Sequence, residues 1–283
     1  MTTSSIIVLT GATAGIGRAT AKALAPTAGK LVLVARNEQK LKALIAELAR
    51  EADPNNLDYV VADLSEAASI EQAVAEIRSR YDHIDLLVNN AGGFFSDRME
   101  TSAGYEYTFA LDHLGYYHFT TRLLDLIEAA PKARIVSVSS AAHTMGKMNW
   151  DDLMLTKEYG GMKAYGQAKL ANILFTKELA ERLKDKNITV NCLHPGVVAT
   201  NFMDNMPAWI KPLAGFAKIF MKSPDKGAET SVYLATSSEV EGITGEYFAD
   251  KKVAKVSPAA KDRADAQKLW QISEELVEKA LVK

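Results

Sequence analysis

Short runs of β-branched and aliphatic residues alternate with longer stretches in which apolar positions recur every three or four residues, almost from end to end. The short runs are Ile6–Leu9, Leu31–Val34, Leu57–Val61, Ile84–Val88, Arg134–Val138 and Ile188–Leu193, and they read as strands. The longer ones, Gly15–Leu24, Glu38–Glu51, Ser69–Arg80, Thr101–Ala129, Lys163–Leu183, Asp225–Ala235 and Ala259–Leu281, read as helices. Continuously apolar strands separated by helices describe a parallel sheet covered on both faces. No repeat, low-complexity tract or Pro/Gly linker divides the chain, so residues 1–283 read as one doubly wound α/β domain.

Two segments break this rhythm. Ala141 to Gly161 is polar and irregular, an insertion between a strand and the helix Lys163–Leu183. Thr200 to Pro224 is rich in Met, Phe, Trp and Pro, and long structured excursions in compact domains serve as lids or binding loops. A helical substrate lid over about 200–224 is therefore expected, with Phe202, Trp209 and Phe216 as its substrate contacts. A core-packing helical pair is the plainer alternative. A membrane-contact patch has only Lys211, Lys218 and Lys222 to supply positive charge.

Composition narrows the classes. Apolar residues make up 48% and charged residues 24%, enough for a sizeable core in a globular chain. Lys and Arg number 33 against 35 for Asp and Glu, a net charge of -2, which argues against a nucleic-acid partner. The single cysteine, Cys192, lies in the apolar run I-T-V-N-C-L and is expected to be a buried small hydrophobe in a reducing compartment. The N-terminal apolar run is too short for a signal peptide, and no 18-residue apolar window suits a membrane span. A cytoplasmic location is the expectation.

Candidate chemistry begins at the first strand. Ile6–Leu9 runs into T-G-A-T-A-G-I-G, Thr10 to Gly17, and then into a helix. Glycines at 11, 15 and 17 permit a tight turn and let backbone N–H groups approach a pyrophosphate at the helix N-terminus. Thr13, Ala14 and Ile16 complete the expected cofactor turn. At the end of the second strand, an acidic residue at position 35 would bind the ribose 2′-hydroxyl of NAD. Here Ala35 is neutral and Arg36 follows, leaving room and charge for a 2′-phosphate, so NADP(H) is favoured. In the long helix, Tyr165 and Lys169 are four apart and lie one above the other. An ammonium beside a phenol favours phenolate and lowers the tyrosine pKa from about 10. That supplies the proton donor and acceptor which carbonyl reduction or alcohol oxidation requires.

Assembled in order, these motifs resemble the short-chain dehydrogenase/reductase family, and within it the retinol-dehydrogenase-like branch. The likeness runs through T-G-A-T-A-G-I-G, A-D-L at 62–64, N-N-A-G at 89–92, D-H-L-G at 112–115 and V-S-V-S-S at 136–140. It continues through Y-G-Q-A-K-L-A-N-I-L-F-T-K-E-L-A at 165–180, H-P-G-V-V-A-T at 194–200 and G-E-Y-F-A-D with a later L-W-Q-I-S. The resemblance implies a Rossmann-type fold, with a cofactor-binding half over roughly 1–130 and a catalytic and substrate half over roughly 131–283. It makes Tyr165 the acid/base and Lys169 its partner, which also holds the nicotinamide ribose. Ser140 would bind the substrate oxygen, with Ser139 the alternative one register step away. Asp63 and Leu64 match the adenine-contacting pair, and Asn90, Ala91 and Gly92 the turn beneath the cofactor. Pro195, Gly196, Val198 and Thr200 match the segment that orients the nicotinamide carboxamide.

One position departs from the pattern. Asp112 stands where the family commonly has a catalytic asparagine that helps hold a water leading from the active-site lysine. An ionised aspartate accepts hydrogen bonds but donates none. Either its carboxylate enters the relay, or Asp112 points elsewhere and a backbone carbonyl holds the water; the second reading is slightly favoured. His113, His118, His143 and His194 have no metal-ligand spacing and are expected to pack or hydrogen-bond, so no metal is expected. The resulting expectation is an NADP(H)-dependent oxidoreductase interconverting a carbonyl and an alcohol on a moderately apolar small molecule, with oligomeric state left open. Reduction of an activated C=C bond and a cofactor-binding sensor without catalysis are the alternatives.

Overall fold

The side chains of successive strand residues point to opposite faces of a sheet, so a strand that is apolar throughout must be covered twice. The computed structural model, which describes residues 5–198 and 222–282, meets that demand with three layers. Strands β1 (Ile6–Thr10), β2 (Lys30–Ala35), β3 (Leu57–Val61), β4 (Leu86–Asn89), β5 (Ala133–Val138), β6 (Ile188–His194), β7 (Tyr247–Ala249) and β8 (Lys252–Val253) form one sheet in the order β3-β2-β1-β4-β5-β6-β7-β8. All neighbours are parallel except β7 and β8.

Ile7, Leu9, Leu31, Leu33 and Val88 pack on one face against α1 (Gly15–Leu24), α2 (Glu38–Leu48) and α8 (Pro224–Thr236). Val8, Val32, Val60, Leu87 and Ile135 pack on the other, against α3 (Ala67–Arg80), α5 (Gly115–Arg122), α7 (Gly161–Arg182) and α9 (Arg263–Val282). On that second face Trp270 of α9 stacks on Phe175 of α7, 6.0 Å apart and 15° from parallel, while the Arg182 guanidinium lies 4.2 Å over its ring.

The six expected strands are present, with β4 beginning two residues later than expected. β7 and β8 were not anticipated. They lie in the tail G-E-Y-F-A-D-K-K-V, joined by a turn in which Asp250 and Lys251 adopt positive φ, and three residues are too few to show a period.

The expected helix Thr101–Ala129 is instead a turn followed by α4 (Tyr107–Phe109), a π-turn over Ala110–Leu114, α5, and α6 (Leu124–Ala129). Gly104 at φ +80 and the bridge between Glu100 and Glu106 keep residues 101–106 out of the helix. The buried Glu106 carboxylate then starts the helix by accepting from the N–H groups of Thr108 and Phe109. The expected Ala259–Leu281 is a short 3-10 turn, Ala259–Lys261, followed by α9.

The long helix α7 begins two residues before and ends one residue before the expected Lys163–Leu183. Every residue from Gly166 to Thr176 is buried, because the sheet, α4, the π-turn after it and α9 surround it; Lys169 is therefore interior. The Ala141–Gly161 insertion is irregular beyond a 3-10 turn at Ala141–Thr144, as expected. The expected lid falls mainly on residues 199–221, outside the described residues, as do Thr200, Phe202, Trp209 and Phe216.

Candidate active site

In an open parallel sheet, ligands bind beyond the carboxyl ends of the strands where the strand order reverses. That point here lies between β1 and β4. Thr10, the last residue of β1, ties the two ends together. Its fully buried hydroxyl accepts from the N–H groups of Asn90 at 2.9 Å and Ala91 at 3.0 Å, and donates to the Val88 carbonyl at 3.3 Å. Asn90 answers with its side-chain amide, donating to the carbonyls of Thr10 at 2.9 Å and Gly11 at 3.3 Å.

The glycine-rich turn sits on this clamp. Gly11 has φ +67, and a Cβ there would lie 2.6 Å from the Ala91 Cα. At Gly17 a Cβ would lie 2.2 Å from the Gly11 oxygen. Ala14 starts α1 without a side-chain cap, so the first N–H groups of the helix are available to an anion. Val198 joins this assembly by its contact with α8, since a Cβ on Gly227 would meet both Val198 and Ile16. Gly196, at φ +92, packs on Lys222, whose ammonium pairs with Asp250 and whose backbone N–H bonds the Val197 carbonyl. Lys222 is thus tied into the sheet edge, which removes one cation from the alternative membrane patch.

At the end of β2, Arg36 is mostly exposed, donates to the Tyr107 hydroxyl at 2.6 Å and lies 3.6 Å from Asp63. Asp63 spends its other oxygen on the N–H and hydroxyl of Ser65. Leu64 is buried, and its carbonyl lies where a Cβ on Gly115 would be, at 2.4 Å. This close approach fixes the last residue of D-H-L-G.

The expected catalytic residues converge at the ends of β4 and β5. Lys169 lies 2.8 Å from an Asp112 oxygen, and the two side chains are 4% and 0% exposed. The Lys169 nitrogen is 5.3 Å from the centre of the Tyr165 ring, which meets Phe94 edge-on. Ser139 is buried, and its hydroxyl donates to the Lys169 carbonyl at 2.8 Å, so it is spent on the helix. Ser140 is the serine that hydrogen-bonds Tyr165. Of the two serines, Ser140 is thus the one placed beside Tyr165.

The turn that carries Ser140 is held by two histidines. His194 accepts from the Ala141 N–H at 3.2 Å. His143 accepts from the Ser257 N–H at its Nε2, so its Nδ1 carries the proton and donates to the Ser140 carbonyl at 2.7 Å. Burial pushes the pKa of both rings down, which keeps them neutral. His113 bonds Ser273 and His118 bonds Glu71, the packing and hydrogen-bonding roles expected of them. Cys192 is fully buried, and burial pushes its thiol up to about 12, consistent with an inert small hydrophobe.

Asp112 does not turn away. The π-turn over Ala110–Leu114 places it against Lys169, and its second oxygen accepts from the Gly93 N–H at 2.9 Å. A Cβ on Gly92 would lie 3.0 Å from the carboxylate, so glycine there leaves the carboxylate its space. The slightly favoured expectation that Asp112 points elsewhere is corrected: the break of the expected helix at the π-turn sets the direction of Asp112, and periodicity does not show that break. A second correction concerns Tyr165. Burial raises its pKa, and the lowering by Lys169 is countered by Asp112, so the net direction is upward.

Thr10, Tyr107, Tyr116 and Phe94 are site residues that sequence reasoning passed over. Thr10 heads the glycine-rich motif and carried a usable signal. The other three reach the site through tertiary packing alone. Among the described residues no cluster of His, Cys, Asp and Glu is placed to hold a metal.

A glycine-rich turn thus lies at the topological switch beside an uncapped helix start, with Ser140, Tyr165 and Lys169 brought together at the ends of the strands. The short chain dehydrogenase family model matches residues 5–211, and the chain belongs to that family. Its likeness lies on the retinol-dehydrogenase side. Human retinol dehydrogenase 14 is 38% identical over 287 residues, covering 96% of this chain and 85% of that protein. An uncharacterised protein from Mycobacterium Paratuberculosis superposes with a TM-score of 0.79 at 27% identity, covering 97% of this chain and 93% of that one. Actinorhodin polyketide ketoreductase with NADPH, at 23% identity and a TM-score of 0.68 over 88% of this chain and 96% of that one, shares the fold.

Proposed function

We propose that this chain is an NADP(H)-dependent oxidoreductase that interconverts a carbonyl and an alcohol on a moderately apolar small molecule. The observation that carries the reading is the meeting of Ser140, Tyr165 and Lys169 beside the glycine-rich turn. The turn fits a dinucleotide because Gly11 and Gly17 let it close against Ala91 and Asn90, where Cβ atoms would clash, and because α1 begins uncapped. Arg36, exposed at the end of β2 beyond a neutral Ala35, supports a 2′-phosphate on the ribose. The retinol dehydrogenase relatives and the NADPH of the ketoreductase structure agree with this assignment.

When bound, the nicotinamide supplies or accepts the hydride. Ser140 hydrogen-bonds the substrate oxygen and holds it against Tyr165. Tyr165 donates its proton to that oxygen during reduction and recovers it during oxidation. Lys169 stabilises the phenolate left behind and holds the nicotinamide ribose. Met145 and Met162, both exposed, lie in the turn after Ser140 and one turn before Tyr165, and offer apolar contact to a substrate. The expected lid residues Phe202, Trp209 and Phe216 would add to that contact.

A screen of ketones, aldehydes and enones with NADPH tests the reading. Turnover of ketones or aldehydes supports it. Turnover of enones alone, at the C=C bond, moves the assignment to the second reaction class. Binding of NADPH with no turnover across all three classes leaves a cofactor-binding sensor.

A further inference from the structure

We propose that Asp112 is a positioning residue that fixes Lys169 and cancels part of the charge Lys169 projects onto Tyr165, setting the pH range over which the phenol exchanges its proton. This rests on the catalytic reading of Tyr165 given above.

The geometry is that of a built ion pair. The carboxylate is fully buried, with one oxygen 2.8 Å from the ammonium and the other held by the Gly93 N–H at 2.9 Å. Gly92 provides the space it occupies. The ammonium also lies 3.4 Å from the Val138 carbonyl at the end of β5. The groups facing the carboxylate are Lys169 and Tyr165 from α7, Tyr116 from its own helix, and the Gly93 amide from the turn after β4. Buried Glu106 is the nearby carboxylate that also feels it, and Ser140 bonds the phenol from the β5 side. Facing the phenol there is thus one cation and its paired anion, and the net charge of the pair is zero.

The directions of ionisation follow. Burial opposes the Lys169 ammonium and the paired Asp112 carboxylate favours it, and the net direction of the lysine pKa is upward. Burial raises the Asp112 pKa and the ammonium pulls it partly back. Without the carboxylate, an uncompensated ammonium 5.3 Å from the Tyr165 ring would favour phenolate. An opposite charge at that range lowers a pKa by about 1–2 pH units, a ten- to hundredfold loss of proton affinity.

The test is a titration of Tyr165 in the full chain labelled with [13C-ζ]tyrosine, its signal assigned by its loss in Tyr165→Phe. The Asp112→Asn variant is expected to titrate about 1–2 pH units below the wild-type chain. Asp112→Ser, which also removes the charge, carries the same expectation and stands in if the amide variant does not fold. Unchanged midpoints, or midpoints that move upward, overturn the proposal. Loss of fold in both variants also overturns it, because the carboxylate is then a structural requirement. The titration needs no substrate. A lowered midpoint in a chain without carbonyl or alcohol turnover therefore sinks the catalytic reading while the coupling stands. Where turnover exists, the high-pH limb of NADPH-linked reduction should fall at lower pH in Asp112→Asn.

Discussion

Replacing Thr10 by valine keeps the shape of the side chain and removes only its hydroxyl. That hydroxyl, 0% exposed in the wild-type chain, is the shared acceptor for the N–H groups of Asn90 and Ala91. Both donors would face a methyl group. An orphaned buried donor costs about 1–3 kcal/mol. Asn90 and Ala91 are only partly buried and recover some hydration, which places the pair near the low end, at about 2–3 kcal/mol. For a domain of this size each kcal/mol moves Tm by about 2–4 °C, so a loss of roughly 5–10 °C is expected. The same change frees the turn that carries Gly11 and the Asn90 amide, so NADPH affinity should drop as well. Thermal unfolding with and without NADPH, alongside Thr10→Ser as the variant that keeps the acceptor, checks both. A Thr10→Val chain within about 0.5 kcal/mol of wild type, with unchanged NADPH affinity, refutes the clamp.

Three further outcomes are expected. Tyr165→Phe removes the ionisable group that meets Ser140 and should cut turnover by orders of magnitude while leaving NADPH affinity near wild type; steady-state kinetics with a fluorescence binding titration measures this. Arg36→Ala loses a charge-assisted contact worth roughly 1.5–3 kcal/mol, so NADPH should bind about tenfold or more weakly and NADH nearly as before. Because Arg36 is exposed, its loss should leave Tm almost unchanged, and equal losses for both cofactors would dismiss it as the discriminator. Gly92→Ala puts a Cβ 3.0 Å from the Asp112 carboxylate, which must shift; about 1–2 kcal/mol of stability and a larger share of activity should go, read by denaturant unfolding and kcat.

Local chemistry made much of this protein legible as a string of letters. Strands apolar on both sides announced a covered parallel sheet, and T-G-A-T-A-G-I-G announced the turn at its switch point. Tyr165 and Lys169, four apart on a helix, announced two side chains lying against one another. Each of these signals is carried by neighbours in sequence, where backbone geometry fixes the outcome. What lay beyond reach depends on contacts between distant segments. That Ser139 is held by the Lys169 carbonyl, leaving Ser140 beside Tyr165, depends on how β5 meets α7. The three residues of β7 are a strand only because β6 offers them an edge. The direction of Asp112 follows from a π-turn within a broken helix and from a glycine twenty residues earlier in the chain, and no period in the sequence encodes either one. Burial then reverses the direction that a neighbouring ammonium alone would give Tyr165, because desolvation is a property of the assembled interior and not of any short stretch of chain.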